Sequence, residues 1–269
     1  MADHRPLLCA APALVGAKAW HDTMRDLAVR TVSVPRSLVH ARHPRRIVLL
    51  SDLHVTGPDM PPSRLARIVA QVNQLKPDLV LFAGDFVSDK RAASRHYSIA
   101  ASVAPLGKID RRAVGLAVPG NHDHWRDVGE LKRELAKVHI DVLQNAVTIA
   151  GGVPIAGLDD DFTNHADIAR TMSALVAQGG HGVVLSHSPD PFPALPPRTG
   201  LVLAGHTHCG QIAWPWGGAP ASMSRYGQRY ACGVVRESGN ILITSAGLGT
   251  SVLPFRLFTQ PEIWVIDIR

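Results

Sequence analysis

Five apolar runs, each ending in an imidazole or a carboxylate, constrain this chain more than any other feature. Ile47-Val48-Leu49-Leu50 runs into Asp52-Leu53-His54, and Leu79-Val80-Leu81-Phe82-Ala83 runs into Gly84-Asp85. Val114-Gly115-Leu116-Ala117-Val118 leads to Gly120-Asn121-His122-Asp123, Val183-Val184-Leu185 to Ser186-His187, and Leu201-Val202-Leu203-Ala204 to Gly205-His206-Thr207-His208. Continuous apolar runs of this length read as strands buried on both faces, and in open α/β sheets ligands gather beyond the carboxyl ends of the strands. The spacing therefore predicts an α/β chain whose Asp52, His54, Asp85, Asn121, His187, His206 and His208 converge on one site.

The segments between the runs support that layout. Leu65, Ile68, Val69, Val72 and Leu75 have helical spacing, with Pro61 and Pro62 suited to the first turn and Pro77 ending it. Ile47 to Ala83 thus forms a strand-helix-strand unit, whose right-handed crossover puts Asp52 and Asp85 at the same edge of a parallel pair. Further helices are predicted over Val128 to Val138 and Asp167 to Gln178, the second stopped by Gly179-Gly180. Short strands are expected at Val142-Leu143, Val147-Ile149, Pro154-Ala156, Gly233-Arg236, Ile241-Ser245 and Ile263-Ile268, and the C-terminal ones suggest a second sheet packed on the first. The fold class is α/β: two packed mixed β-sheets with helices outside. Residues 47–269 are read as one domain, preceded by an extension, 1–46, of a helix and a lead-in strand.

Composition narrows the partners. Hydrophobic residues at 46% and charged residues at 19% exclude a disordered chain. A net charge of +6 favours anionic partners such as phosphates or acidic lipid surfaces, but the charge is spread out and nucleic acid is not expected. Cys9, Cys209 and Cys232 are too few and scattered for a disulfide framework, so a reducing, cytoplasmic compartment is expected. The apolar stretch Leu7 to Trp20 holds Pro12, Gly16 and Lys18 and is too short to span a bilayer; a packed or peripheral helix is expected there, a truncated signal segment being the alternative.

Seven ligands are too many for one ion that keeps an open position. Two ions can share them if one carboxylate bridges, and metals about 3.5–4 Å apart are the arrangement that clamps attacking and leaving oxygens in phosphoryl transfer. A binuclear hydrolase is the reading, with a hydroxide between the ions as nucleophile, because metal binding lowers the pKa of water from about 15.7 to about 7.

The ordered blocks Asp52-x-His54, Gly84-Asp85, Gly120-Asn121-His122-Asp123, His187 and Gly205-His206-x-His208 resemble the calcineurin-like metallophosphoesterase family at motif level, from Ile47 to Gln211. Gly247-Leu248-Gly249-Thr250-Ser251 and Pro261-Glu262-Ile263 resemble the tail of its bacterial YkuE/YaeI-like phosphodiesterase subgroup. The resemblance implies a four-layer α/β/β/α sandwich and Mn, Fe or Zn as the metals, in keeping with mixed oxygen and nitrogen ligands. It implies that Asp52, His54 and His208 bind one ion, that Asn121, His187 and His206 bind the other, and that Asp85 bridges. It makes His122 the general acid or phosphate donor.

Two departures from the family pattern bear on the site. Some relatives orient the motif histidine with an acid three residues after the bridging aspartate; here that position is Ser88, the acid is Asp89, and Asp123 is a possible substitute. Cys209 follows the second histidine where the subgroup often has Gly, and is read as a small buried hydrophobe. Arg256 matches an arginine of the subgroup's tail, with a second phosphate or a structural salt bridge as its partner. The aromatic segment Cys209 to Tyr230, including Trp214, is a substrate wall or lid, or else a surface flap. His124, His139, His165 and His181 are expected at the surface, and Asp159-Asp160-Asp161 in a solvated turn.

The expected activity is phosphodiester hydrolysis on a small-molecule or lipid-linked substrate. One alternative is a membrane-associated nucleotide-sugar-lipid pyrophosphatase of UDP-diacylglucosamine type, in peripheral contact with the bilayer. Another is a non-catalytic binding or scaffold module on the same fold.

Overall fold

The computed structural model describes residues 5–269. Along the chain, α1 (Arg5–Met24) is followed by β1 (Ala28–Val34), β2 (Arg45–Leu50), the two-residue β3 (Thr56–Gly57), α2 (Pro62–Gln74) and β4 (Leu79–Ala83). Then come the two-residue β5 (Arg95–His96), α3 (Ile99–Val103), β6 (Val114–Val118), α4 (Asn121–Arg126), α5 (Val128–Lys137), β7 (Ile140–Val142), β8 (Ala146–Ala150) and β9 (Val153–Gly157). The rest comprises α6 (Ile168–Val176), β10 (Gly182–Leu185), β11 (Gly200–Ala204), β12 (Gly233–Glu237), β13 (Asn240–Thr244) and β14 (Glu262–Ile268).

Two six-stranded sheets result, in the orders β1-β14-β2-β4-β6-β7 and β12-β13-β11-β10-β9-β8. Strand residues alternate between faces, and that alternation sorts the apolar runs into three layers. Ile47, Leu49, Leu79 and Leu81 of the first sheet meet Val183, Leu185, Leu201 and Leu203 of the second in a core between the sheets. Val48, Leu50, Val80 and Phe82 point the other way, onto Leu65, Ile68, Val69 and Val72 of α2 and Leu131 and Leu135 of α5. Val184 and Val202 pack outward onto Met172 and Leu175 of α6. Both faces of each central strand are therefore covered, which is why the runs are continuous rather than alternating.

The strand at Ile263–Ile268 belongs to a different sheet from the one expected. β14 does not join the C-terminal sheet but inserts between β1 and β2 of the first, parallel to β1 and antiparallel to β2. Its seven residues are all buried, so only an internal position between two strands satisfies its backbone. Among the described residues no helix is long and apolar enough to cross a membrane.

The cysteine reading is also overturned. Cys209 and Cys232 form a disulfide with their Cα atoms 4.7 Å apart, because the loop after β11 folds back to the start of β12. The bond removes the ground for assigning a reducing compartment, since disulfides persist in oxidising ones. The side chain of Cys9 lies outside the described residues.

Candidate metal centre

β2, β4 and β6 lie side by side and parallel in the first sheet, β10 and β11 in the second. Their C-terminal ends open on one place between the sheets. Asp52, His54, Asp85, Asn121, His187, His206 and His208 are all buried there. The structure thus brings together all seven residues expected to ligate.

The chain turns sharply after β2, β4 and β11. Asp52, His54, Asp85, His206 and His208 all have φ between 43° and 70°, the left-handed region that non-glycine residues rarely occupy and that clusters at functional sites. Asp52 accepts the backbone N–H of His206 at 3.0 Å, and Asp85 accepts that of His122 at 2.9 Å. Each carboxylate thereby ties its own strand end to a neighbouring one.

The histidines form two sets. His54 Nε2 lies 3.1 Å from His208 Nε2, which is 3.5 Å from Asp52 Oδ1. His187 Nε2 lies 3.1 Å from His206 Nδ1 and 3.0 Å from Asn121 Oδ1. Asp85 Oδ2 stands between the sets, 3.5 Å from His54 Nε2 and 3.3 Å from His187 Nε2. Ligands bonded to one ion at about 2.0–2.2 Å sit roughly 3–3.5 Å from one another, so these separations are the ones an ion would impose. His187 Nδ1 faces the Ala83 carbonyl at 2.7 Å, the bond by which a metal-binding imidazole commonly fixes its tautomer and frees the other nitrogen. Asp52, His54 and His208 form one group able to hold a metal, and Asp52, Asp85 and His187 form another.

Electrostatics fit the same role. Burial, reinforced by neighbouring charge, pushes His54 and His208 well below the usual imidazole value, and burial with the charge on His187 pushes His206 down to about 3. These three rings are neutral near pH 7, the form that ligates. Burial works against charge on both His187 and Asp85, yet their mutual attraction outweighs it, holding His187 well above and Asp85 well below their ordinary values. Burial raises Asp52 to about 6, and burial with the charge on Asp85 raises Asp123 to about 7.

His122 sits at the edge of the cluster. Its Nδ1 pairs with Asp89, while its Nε2 faces the cleft, 3.5 Å from Ser251 Oγ. The His122 ring is therefore paired with Asp89 and not with Asp123. The Asp123 carboxylate accepts the backbone N–H groups of Asp85 (2.8 Å), Gly120 (2.9 Å), Phe86 (2.9 Å) and Val87 (3.3 Å), holding the turns after β4 and β6 together. Arg256 is fully buried, and its Nη2 donates to the carbonyls of Ala246, Gly247 and Gly249, with His208 Nδ1 3.4 Å away. It thus shapes the loop behind the ligands; of the two partners expected for it, a second phosphate or a salt bridge, the salt bridge is replaced by these carbonyls.

Beside the metal cluster lies a cleft of roughly 580 Å³. Ile212, Pro220, Ala221 and Met223 of the aromatic segment line it, whereas Trp214 stacks on Trp216 at 5.5 Å outside it. Trp125 and Phe162 also border the cleft, and neither stood out in the sequence. Trp125 could have been found, since it lies three residues after His122 and so shares its face of a helix. Phe162 stacks near His206 at 4.8 Å and comes from a loop distant in sequence, with no local signal.

Two surface expectations fail beside the centre. Asp159 and Asp160 are buried, because Asp159 accepts from Gln144 and pairs with His124 at 2.7 Å, and Asp160 accepts from Thr163. His124, half-buried, stacks on the exposed His165 at 4.0 Å.

A calcineurin-like phosphoesterase family model matches residues 45–210. The chain is 29% identical over 231 residues to the uncharacterized metallophosphoesterase YkuE of Bacillus subtilis (strain 168), covering 83% of this chain and 79% of that one. It is 29% identical over 253 residues to YkoQ, an uncharacterized metallophosphoesterase of the same organism, covering 89% of each. Among solved structures it is similar to the 5'-nucleotidase precursor from Thermus thermophilus, at 16% identity and a TM-score of 0.45, covering 84% of this chain. It spans about half, 54%, of that nucleotidase.

Proposed function

The chain belongs to the calcineurin-like phosphoesterase family and is a hydrolase of phosphoester bonds; from that membership we propose that it is a two-metal phosphodiesterase. The observation that carries the reading is Asp85 Oδ2, one carboxylate oxygen that faces a histidine of each set, at 3.5 Å and 3.3 Å. Asp52, His54 and His208 would hold one ion and Asn121, His187 and His206 the other, with Asp85 shared. This oxygen and nitrogen donor set suits Mn, Fe or Zn. The chemistry such ions supply is positive charge for the phosphate and a water whose pKa falls from about 15.7 toward about 7.

The protein's own residues do the rest. Asp89 fixes the His122 ring through Nδ1, so that Nε2 faces the cleft. From there His122 donates to a phosphate oxygen or hands a proton to the departing alcohol. Asp123 keeps Gly120 and Asp85 in register by gathering their N–H groups, which holds His122 and the shared carboxylate at a fixed separation.

A diester is favoured over a monoester by the cations. Lys90 Nζ is engaged by Asp59 at 2.7 Å and Thr250 at 2.6 Å, and Arg256 lies behind the ligands with its Nη2 on backbone carbonyls. Lys90 borders the cleft but is neutralised by Asp59, and Arg256 is not part of the cleft wall, so neither buried cation offers a free charge to the second negative charge of a monoester; the cation left at the rim is the exposed Arg91. The test is metal analysis followed by a panel of diesters, monoesters and pyrophosphate-linked nucleotide sugars, each with Mn, Fe, Co, Zn or Ni. Turnover of bis(p-nitrophenyl) phosphate ahead of p-nitrophenyl phosphate is expected. No turnover of any ester with any of these metals would leave a binding module in place of an enzyme.

A further inference from the structure

We infer that the cleft beside the metal centre is a specificity site for an alkyl or aryl substituent on the phosphodiester. This inference rests on the phosphodiesterase reading above and adds the class of substrate. The cleft is continuous with the reacting centre, since the same cavity is bordered by Asp85, His122, His206 and His208. Away from them much of its wall is apolar, with Trp125, Phe162, Ile212, Met223, Val252 and Leu253, and Lys90, Arg91 and Gln211 are polar groups along it. Trp125 is 54% exposed, Met223 59% and Val252 75%. Exposed apolar side chains gathered around one concavity mark a place where an apolar ligand belongs.

The wall is also preformed. Gln211 donates through Nε2 to the carbonyls of Leu253 (3.0 Å) and Phe255 (2.9 Å) and accepts the Ser251 N–H at 2.8 Å, so it clamps the segment carrying Val252 and Leu253. Trp125 packs edge-on to both His122 (4.8 Å) and Phe162 (6.3 Å). Three polar groups along this wall have internal partners: Gln211 holds the backbone, Asp89 holds His122, and Lys90 holds Asp59 and Thr250, which leaves the exposed Arg91 as the charged group at the rim. A sugar or a nucleobase would leave its polar edge unpaired against the apolar part of this wall, at a desolvation cost an alkyl or aryl group does not carry. His122 lies beside Ser251, the residue before Val252, so a phosphate held at the centre directs one ester substituent along the wall.

The experiment compares methyl, butyl and octyl p-nitrophenyl phosphates, all kept monomeric, on the Mn-loaded protein and on Leu253→Asp. The expected result is kcat/KM rising at least about tenfold from methyl to octyl, within a ceiling of about fourfold per fully buried methylene. The octyl-to-methyl ratio should fall in Leu253→Asp. Calorimetry on the same protein gives a second readout: octylphosphonate should bind tighter than methylphosphonate, with a more negative heat-capacity change. Equal turnover of the three esters, with no difference between the phosphonates, overturns the specificity site and leaves the phosphodiesterase reading intact. Preferential octylphosphonate binding without turnover of any ester does the reverse.

Discussion

At the scale of single residues, the histidines divide by what each nitrogen meets. The His122 ring pairs with Asp89 while its backbone N–H reaches Asp85, and although His54, Asp85 and His122 also lie together, the group of Asp52, His54 and His208 and that of Asp52, Asp85 and His187 form without it. His122→Ala is therefore expected to retain its metals by elemental analysis while losing about 10²–10⁴ in turnover, the range of a general acid–base contribution; full activity would remove His122 from the mechanism. Asp89→Asn should lose less, again with metal content unchanged. His124 gives a pH signature of its own. The hydrogen bond that His124 donates to Asp159 raises its pKa against the effect of burial, and Asp159 is lowered although burial opposes that too. A raised imidazole stabilises the fold fully below its unfolded value near pH 6.5 and loses that contribution as pH rises through the folded value; a lowered carboxylate stabilises above about pH 4 and loses it as pH falls. The melting-temperature gap between the wild type and His124→Asn should thus be widest from about pH 4 to 6.5 and close toward pH 9. A gap that stays constant over that range would mean the pair is held by packing and not by charge. The sequence hid this pair because the three consecutive acids at 159–161 look like a solvated turn; their partners His124, Gln144 and Arg225 lie far along the chain.

At the scale of elements, the five strands and the convergence of the polar residues at their ends were legible because burial on both faces leaves an apolar run without alternation, and a polar residue at its end has nowhere to point but the site. β14 was legible as a strand and misplaced as a sheet member, since apolar content records burial but not which neighbours provide it. The disulfide was illegible for a related reason: Cys209 and Cys232 are 23 residues apart, and only the fold of the intervening loop brings them together. Closing a loop of that length removes about 3 kcal/mol of unfolded-chain entropy in the simplest account. Cys232→Ser, or reduction of the wild type, should lower the melting temperature, and the variant should no longer respond to reductant. The turns themselves tolerate little. Gly84 has φ +80°, and a Cβ there would lie 2.7 Å from both Gly120 N and His187 Nδ1. At Gly247, with φ +72°, it would lie 2.6 Å from Asp52 Cβ. Gly84→Ala must displace a ligand strand end, and its expected consequence is loss of bound metal, seen by elemental analysis, with folded circular dichroism retained.

At the scale of the whole molecule, the centre is divided between the sheets. β2, β4 and β6 deliver Asp52, His54, Asp85 and Asn121 from one, and β10 and β11 deliver His187, His206 and His208 from the other. Ions held there would join the sheets at their open end, where several ligands adopt strained positive φ and where apolar packing gives way to polar groups. Anything that binds only the folded state stabilises it by mass action, about 4 kcal/mol at a thousand times its Kd. For a chain of this size that corresponds to a shift on the order of 10 °C. Chelation is expected to lower the melting temperature by that order, and to speed amide exchange at the ends of β2, β4, β10 and β11 together while the core between the sheets stays protected. Faster exchange at only one sheet's strand ends would mean that the ions are bound by that sheet alone. An unchanged melting temperature in protein shown to be metal-free would mean that the disulfide and the inter-sheet core hold this end of the molecule unaided.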